Sequence, residues 1–205
     1  MNFEVISVGI LEVNCFIVQP NKNKQDVYII DPGGDDRKII DFISDRKWDP
    51  KAILLTHSHV DHIGAVPRIA DEYSIPVYLN GGDKPMYFSK ENALSPYLDA
   101  VKNLPEPLPF SKLEIAELSI IETPGHSPGG VCFYFADSAT LFSGDTLFCN
   151  SIGRTDLPGG DMNILLNSIQ TRLLNLPENT VVYPGHGSST TIKSEKRNNP
   201  FLQGS

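Results

Sequence analysis

The feature that most constrains this chain is a set of short apolar strands, four of which run directly into histidine or aspartate. Each of these polar residues is in a loop that also carries Gly, Pro or Ser. The four strand-and-loop pairs are 52–55 with 56–62, 120–121 with 124–126, 140–142 with 143–145, and 181–183 with 184–186. Rigid strands aim short loops at a shared point, which is why enzyme sites often lie outside strand ends. The sequence therefore predicts one site built from four segments.

The residues in these loops are typical metal ligands, and they include all five histidines of the chain. The set consists of His57, His59, Asp61, His62, His126, Asp145 and His186. Imidazoles and carboxylates without a thiolate suit Zn²⁺, Fe or Mn²⁺. Seven ligands exceed what one tetrahedral ion with an open position needs, so two divalent ions fit the count better. In an extended turn residues i and i+2 point the same way, so His57 and His59 can bind one ion together, and Asp61 and His62 can face a second.

Two further residues near these loops have two alternative predictions each. Asp31 follows a strand and precedes Pro-Gly-Gly, so it is expected either to orient a metal ligand or simply to form the turn. Arg154 belongs to a Gly-Arg-Thr-Asp segment and is expected either to bind an anionic substrate or to pair with Asp156.

The order of apolar segments predicts an α/β chain with two sheets face to face and helices outside them. The predicted strands are 3–8, 15–18, 27–30, 51–55, 76–79, 118–122, 131–135, 140–142 and 180–183. Helical spacing occurs at 39–43, 62–73 and 162–174, and 80–112 is expected to form short helices and an extended loop. No composition shift or linker divides the chain, which favours a single domain over residues 1–205.

Composition excludes several classes of function. A formal net charge of −8 disfavours a nucleic-acid partner, which would require a basic face. Apolar runs reach only five or six residues, against the roughly 20 that cross a bilayer, so no membrane association is expected. The first residues lack the features of a signal peptide, and three cysteines without a C-x-x-C motif favour buried, reduced thiols in a cytoplasmic protein. The oligomeric state stays open.

The motif sequences resemble those of the metallo-β-lactamase-fold superfamily, and within it the small glyoxalase II-like (hydroxyacylglutathione hydrolase-like) enzymes. The matching segments are Thr56-His57-Ser58-His59-Val60-Asp61-His62-Ile63-Gly64, 123–130, 143–148 and 183–187. With Asp31 included, the resemblance extends over most of the chain. The resemblance implies a four-layer αββα sandwich with the metal ions at one edge.

The resemblance also implies a role for each ligand. The first ion would be bound by His57, His59 and His126, and the second by Asp61, His62 and His186, with Asp145 bridging. Two divalent ions, zinc first among them, would activate a bridging hydroxide that attacks an acyl carbonyl, and Asp61 would also orient the water. A small thioester such as an S-acylglutathione suits this chemistry, because a thiolate leaves without a strong general acid.

Two departures from the longer glyoxalase II enzymes affect the expected substrate. Only 19 residues follow His186, so the C-terminal helical domain that contacts glutathione is expected to be absent, and Ser188 stands where those enzymes have Tyr. Glutathione recognition therefore stays open. The segment 153–156 also resembles persulfide dioxygenases, which makes an iron-dependent dioxygenase the main alternative, although the full set of seven ligands favours a hydrolase. A β-lactamase and a non-catalytic metal-binding module are the remaining alternatives.

Overall fold

Residues 1–203 are described by a computed structural model, in which they form two compact units, Met1–Ala116 and residues 117–203. Each unit has a five-stranded sheet of mixed direction and its own hydrophobic core. The single domain predicted for residues 1–205 stays a prediction. Within residues 1–203, no helix combines the length and the apolar character that crossing a bilayer would require.

The sheet of the first unit ends in three parallel strands. Its strands, in both sequence and spatial order, are β1 (Asn2–Val8), β2 (Val13–Gln19), β3 (Asp26–Ile30), β4 (Asp49–Leu54) and β5 (Val77–Tyr78). β1, β2 and β3 pair antiparallel, whereas β3, β4 and β5 pair in parallel. The loops that follow β3, β4 and β5 therefore start at the same edge of the sheet.

Each helix of the first unit contributes buried apolar side chains to its core. They are α1 (Asp36–Asp45), α2 (Val60–Ile63), α3 (Val66–Tyr73) and α4 (Lys84–Tyr87). α1 contributes Ile39 and Ile43 to the core, and α3 contributes Val66 and Ile69. Segment 80–112 contains α4 and two 3₁₀ turns, Lys90–Asn92 and Phe110–Lys112, in agreement with the short helices predicted there.

The prediction of a single helix over 62–73 is wrong, because the helix is interrupted at Gly64, between α2 and α3. A Cβ atom on Gly64 would lie 2.3 Å from the carbonyl oxygen of Gly33. The backbone N–H of Ala65 donates to the carbonyl of Pro32 at 2.9 Å. The turn after β3 thus packs directly into the break between α2 and α3. A continuous helix with a side chain at position 64 would leave no room for this turn.

In the second unit, three strands that end in predicted ligands run in the same direction. Its strands are β6 (Leu118–Glu122), β7 (Val131–Phe135), β8 (Thr140–Gly144), β9 (Leu147–Phe148), β10 (Ser151–Ile152), β11 (Val181–Pro184) and β12 (Thr190–Thr191). β9 and β10 pair with each other, and the large sheet has the order β12-β11-β8-β7-β6. β8 is parallel to β11, and β7 is antiparallel to both β6 and β8. The carboxyl ends of β6, β8 and β11 therefore lie at one edge.

The long helix predicted over 162–174 is present as α5 (Met162–Ser168), continued by a π-helical turn over Ile169–Leu173. Asp161 caps α5, its carboxylate accepting from the Ile164 N–H at 3.0 Å. A final helix, α6 (Ile192–Asn198), was not predicted, nor were the two-residue strands β9, β10 and β12.

The cysteine prediction is correct for two of the three thiols. Cys15 and Cys132 are fully buried, whereas Cys149 is exposed. The expectation that all three are buried is therefore wrong for Cys149, which follows β9 in a loop rather than continuing a strand.

Candidate metal centre

The loop after β4 brings four predicted ligands together in the first unit. His57, His59, Asp61 and His62 are all buried, because the loop leads from a core strand directly into α2. The ring of His57 lies 4.8 Å from that of His59 and 4.1 Å from that of His62, centroid to centroid. The Nε2 atom of His62 is 3.9 Å from the Asp61 carboxylate. Three imidazoles and a carboxylate are thus concentrated within six residues of sequence.

Asp31, at the carboxyl end of β3, is hydrogen-bonded to this loop and orients two of its histidines. Its carboxylate accepts from the Thr56 backbone N–H at 2.8 Å, the Thr56 hydroxyl at 2.6 Å and His62 Nδ1 at 2.9 Å. Because a carboxylate only accepts, His62 carries its proton on Nδ1. The Thr56 hydroxyl gives its proton to Asp31, so at 3.0 Å it accepts from His57 Nδ1. Both rings therefore carry the proton on Nδ1 and the lone pair on Nε2, the arrangement that metal-bound histidines show.

The second unit groups the other three predicted ligands at the shared carboxyl edge of β6, β8 and β11. Asp145 Oδ2 lies 3.7 Å from Nε2 of His126 and 3.7 Å from Nε2 of His186. Two ligands of one tetrahedral Zn²⁺ lie about 3.4 Å apart, given bonds of 2.0–2.2 Å. The spacing of this carboxylate to both imidazoles is therefore close to that of ligands sharing an ion.

The Gly153–Arg154 backbone sets the orientation of His126. His126 Nδ1 lies 2.7 Å from the carbonyl oxygen of Arg154, and because a carbonyl only accepts, Nδ1 must donate. His126 thus also presents Nε2. A Cβ atom on Gly153 would lie 1.9 Å from the Asp145 carbonyl oxygen and 3.2 Å from the His126 Cβ. Only glycine allows this segment to approach both ligands so closely.

The side chain of Arg154 is engaged elsewhere. Its Nε and Nη2 atoms donate to the two carboxylate oxygens of Asp156 at 2.8 and 2.7 Å. These hydrogen bonds raise the pKa of Arg154 and lower the pKa of Asp156 to about 2. Both side chains are exposed, so a substrate can still reach the guanidinium. The pairing predicted as one alternative is present, and a role of Arg154 in substrate binding stays a prediction.

Gly125 is a positioning residue that the sequence did not single out. It has a φ of +131°, and a Cβ there would lie 2.3–2.5 Å from N, Cα and Cβ of Leu165 in α5. Its carbonyl accepts from the Asp161 N–H at 2.8 Å, and the Ser168 hydroxyl donates to the Pro124 carbonyl at 2.8 Å. α5 thus packs directly on the loop that carries His126. The sequence signal that could have identified Gly125 is its place directly before a candidate ligand, in Pro124-Gly125-His126.

The chain matches a known protein family over most of its length. The family model described as the metallo-β-lactamase superfamily matches residues 8–186, which include all seven predicted ligands. The chain belongs to this superfamily. The resemblance inferred from the motifs is therefore confirmed.

Individual members of the superfamily match nearly the whole chain. Hydroxyacylglutathione hydrolase GloC of Haemophilus influenzae is 37% identical over 212 residues, covering 98% of this chain and 98% of that protein. The crystal structure of BLEG-1 B3 metallo-β-lactamase is 43% identical with a TM-score of 0.89, covering 99% of this chain and 100% of that one. The structure of TTHA1623 in a di-iron-bound form is 39% identical with a TM-score of 0.89, covering 97% and 100%.

These likenesses confirm the predicted α/β sandwich fold, with two mixed sheets flanked by helices, as in the metallo-β-lactamase superfamily. They also support a metal-dependent hydrolase. The donors fit divalent metal ions on chemical grounds, since imidazole and carboxylate groups are the ligands that Zn²⁺, Fe and Mn²⁺ share. Three of the five imidazoles are already in the tautomer that such an ion needs.

Proposed function

We propose that this protein is a binuclear metal-dependent hydrolase that cleaves a small thioester such as an S-acylglutathione. The observation that carries the proposal is the complete donor set of a superfamily member, in which His57, His62 and His126 all present Nε2. The thioester class is supported by the 37% identity to a protein named hydroxyacylglutathione hydrolase.

The proposed ligand assignment follows the superfamily pattern. One ion is assigned to His57, His59 and His126 and the other to Asp61, His62 and His186, with Asp145 shared. The 3.7 Å distances from Asp145 Oδ2 to the Nε2 atoms of His126 and His186 support the shared role. When bound, two such ions lower the pKa of a coordinated water and polarise a carbonyl. We expect zinc to be the bound metal. Iron is the alternative, because the similar structure of TTHA1623 is in a di-iron-bound form.

The residues of the chain itself have separable roles in this proposal. Asp61, at the start of α2, orients the attacking water as well as binding metal. Asp31 keeps the protons of His57 and His62 on Nδ1. Arg154, exposed beside the His126 loop, interacts with a negatively charged group of the substrate. A formal net charge of −8 disfavours nucleic acid as the substrate and leaves a small molecule.

Cleavage of β-lactams is the second candidate, because a solved structure 43% identical to this chain is described as a B3 metallo-β-lactamase. The two reactions share the attack of an activated water on an acyl carbonyl and differ in the leaving group. A thiolate needs no strong general acid, whereas an amide nitrogen must be protonated as it leaves.

The test combines metal analysis with a substrate panel. The purified protein, loaded in turn with zinc, manganese and iron, is assayed with S-lactoylglutathione, acyl-coenzyme A, an acyl-N-acetylcysteamine and nitrocefin, and for oxygen uptake with glutathione persulfide. We expect two ions per chain and hydrolysis of at least one thioester. Two bound ions with no thioester hydrolysis would contradict the proposal, and oxygen uptake by a one-iron form would support the persulfide dioxygenase.

A pair of variants assigns the activity to the centre. Asp145→Ala is expected to reduce kcat at least about 100-fold, since even residues behind the ligands cost 10–100-fold. Asp137→Ala, an exposed aspartate that precedes β8, is the matched control and is expected to retain full activity. Equal activity of the two variants would exclude Asp145 from the centre.

A further inference from the structure

Asp83 is a buried carboxylate in the segment that joins β5 to α4, and none of the sequence motifs includes it. Its side chain is fully buried, directly before the first residue of α4. Burying a carboxylate is unfavourable unless hydrogen bonds stabilise it, so its partners indicate why it is there.

Asp83 is hydrogen-bonded to Ser58, the residue between His57 and His59. The Ser58 backbone N–H donates to Asp83 Oδ2 at 2.8 Å, and the Ser58 hydroxyl donates to the Asp83 carbonyl oxygen at 3.3 Å. Asp83 is itself held by two backbone hydrogen bonds, from its own N–H to the Asn80 carbonyl at 3.1 Å and from the Tyr87 N–H to its carbonyl at 2.9 Å. The carboxylate is therefore a rigid acceptor for the loop.

The order of the strands makes this contact the counterpart of the one made by Asp31. β4 lies between β3 and β5 in the sheet. Asp31 follows β3 and accepts from the Thr56 N–H, while Asp83 follows β5 and accepts from the Ser58 N–H. One carboxylate from each neighbouring strand thus holds the backbone on either side of His57. Hydrogen bonds to an ionised acceptor are shorter and roughly twice as strong as neutral ones.

We infer that Asp83 is a positioning residue, which holds the His57-Ser58-His59 backbone so that both imidazoles point to the same ion. The inference rests on the proposed function for the identity of that ion. Removing the carboxylate leaves a buried Ser58 N–H without its acceptor, and the loop then rearranges to reach another one. Asparagine keeps an acceptor oxygen at the same place and loses only the charge.

The experiment compares Asp83→Ala and Asp83→Asn with wild type, and uses Asp99→Ala, at an exposed aspartate later in segment 80–112, as the control. Amide hydrogen exchange of the metal-free proteins measures the loop itself. Cobalt(II) titration, followed by the visible ligand-field spectrum, measures affinity and coordination. Thermal unfolding of each metal-free variant defines a temperature at which every protein tested is folded.

Asp83→Ala is expected to weaken cobalt binding about 10–100-fold and to change the ligand-field spectrum, as substitution behind a metal ligand does. Its Ser58 amide is expected to exchange at least about 10-fold faster, because the hydrogen bond that protects it is gone. Asp83→Asn should bind within about 3-fold of wild type, since its amide oxygen still accepts. Asp99→Ala should match wild type in all measurements.

Cobalt affinity and Ser58 exchange that are unchanged in Asp83→Ala would overturn the inference, because a purely structural residue changes only the unfolding temperature. If Asp83→Ala does not fold, hydrogen exchange of the Ser58 amide in the metal-free wild-type protein is the deciding measurement. Exchange as fast as that of an exposed loop amide would overturn the inference. Failure of wild type to bind cobalt contradicts the proposed function instead, and the exchange data on metal-free protein still decide the role of Asp83.

Discussion

His126 Nδ1 donates a hydrogen bond to the backbone carbonyl oxygen of Arg154 over 2.7 Å. The contact joins the loop between β6 and β7 to the segment after β10, and it fixes the tautomer of a proposed metal ligand. Since the acceptor is a backbone atom, the Arg154 side chain is not needed for this effect.

Arg154→Ala should therefore separate metal binding from substrate binding. We expect metal affinity within about 3-fold of wild type, because alanine supplies the same carbonyl acceptor. KM for a negatively charged thioester should rise about 10-fold from the loss of a charged hydrogen-bond donor. Arg68→Ala, which removes an exposed arginine paired with Glu72, is the control. Metal loss in Arg154→Ala would contradict the backbone role, and an unchanged KM would contradict the substrate role.

The pairing of Arg154 with Asp156 predicts a pH dependence that NMR can measure. The hydrogen bonds from Arg154 lower the pKa of Asp156 from 3.8 to about 2 in the folded protein. A lowered folded-state pKa means that the pair contributes stability above pH 3.8, and that the contribution is lost as the pH falls through about 2. The carboxyl ¹³C shift of Asp156 should titrate near 2, and in Arg154→Ala the midpoint should return towards 3.8. The same midpoint in both proteins would exclude the pairing in solution.

Gly125→Ala should destabilise the protein and displace His126. The new Cβ would lie 2.3–2.5 Å from Leu165 atoms at a backbone φ of +131°, so both a clash and backbone strain result. We expect a loss of about 2–4 kcal/mol in the free energy of unfolding, measured with urea. Gly81→Ala is the matched control, because its Cβ would meet no atom within 4 Å. Comparable stability of the two variants would contradict the close packing of α5 on this loop.

Glu195 in α6 is a buried carboxylate with a structural role. It accepts from the Asn150 N–H at 2.9 Å, the Thr190 hydroxyl at 2.5 Å and Asn199 Nδ2 at 2.8 Å. Glu195→Ala leaves these donors without their acceptor, so we expect a loss of roughly 3 kcal/mol in urea unfolding. Exposed Glu178→Ala should change stability by less than about 0.5 kcal/mol. If Glu195→Ala lowers the free energy of unfolding no more than Glu178→Ala does, water replaces the carboxylate as the acceptor.

The three cysteines should differ sharply in reactivity. Cys149 is exposed, whereas Cys15 and Cys132 are fully buried, and burial together with the Asp31 charge raises the pKa of Cys15. Iodoacetamide at pH 8 should label Cys149 at least about 100-fold faster than the other two, as mass spectrometry of the peptides would show. Modification of Cys15 in the folded protein at a comparable rate would contradict its burial.

Sequence spacing was sufficient to predict most of the strands and the position of the candidate ligands at strand ends, whereas metal binding by those ligands stays a prediction. His57, His59, Asp61 and His62 are adjacent in sequence, so any chain that turns out of β4 at this point brings them together. The strands that were missed, β9, β10 and β12, have two residues each, too few for an apolar pattern to register, whereas the equally short β5 lies in the longer apolar stretch 75–79. α6 was missed because its buried residues are Ile192 and the polar Glu195.

Residue type and local spacing are properties of the chain, so the amino-acid sequence is enough to show which chemical groups this protein can offer to a metal ion. Their orientation depends on contacts between distant segments. The tautomers of His57 and His62 depend on Asp31, 25 or more residues away, and that of His126 depends on a carbonyl 28 residues away. Asp83 reaches Ser58 only because β5 pairs beside β4. Such contacts arise from strand pairing and close backbone approach, and no pattern within a short stretch of sequence encodes them.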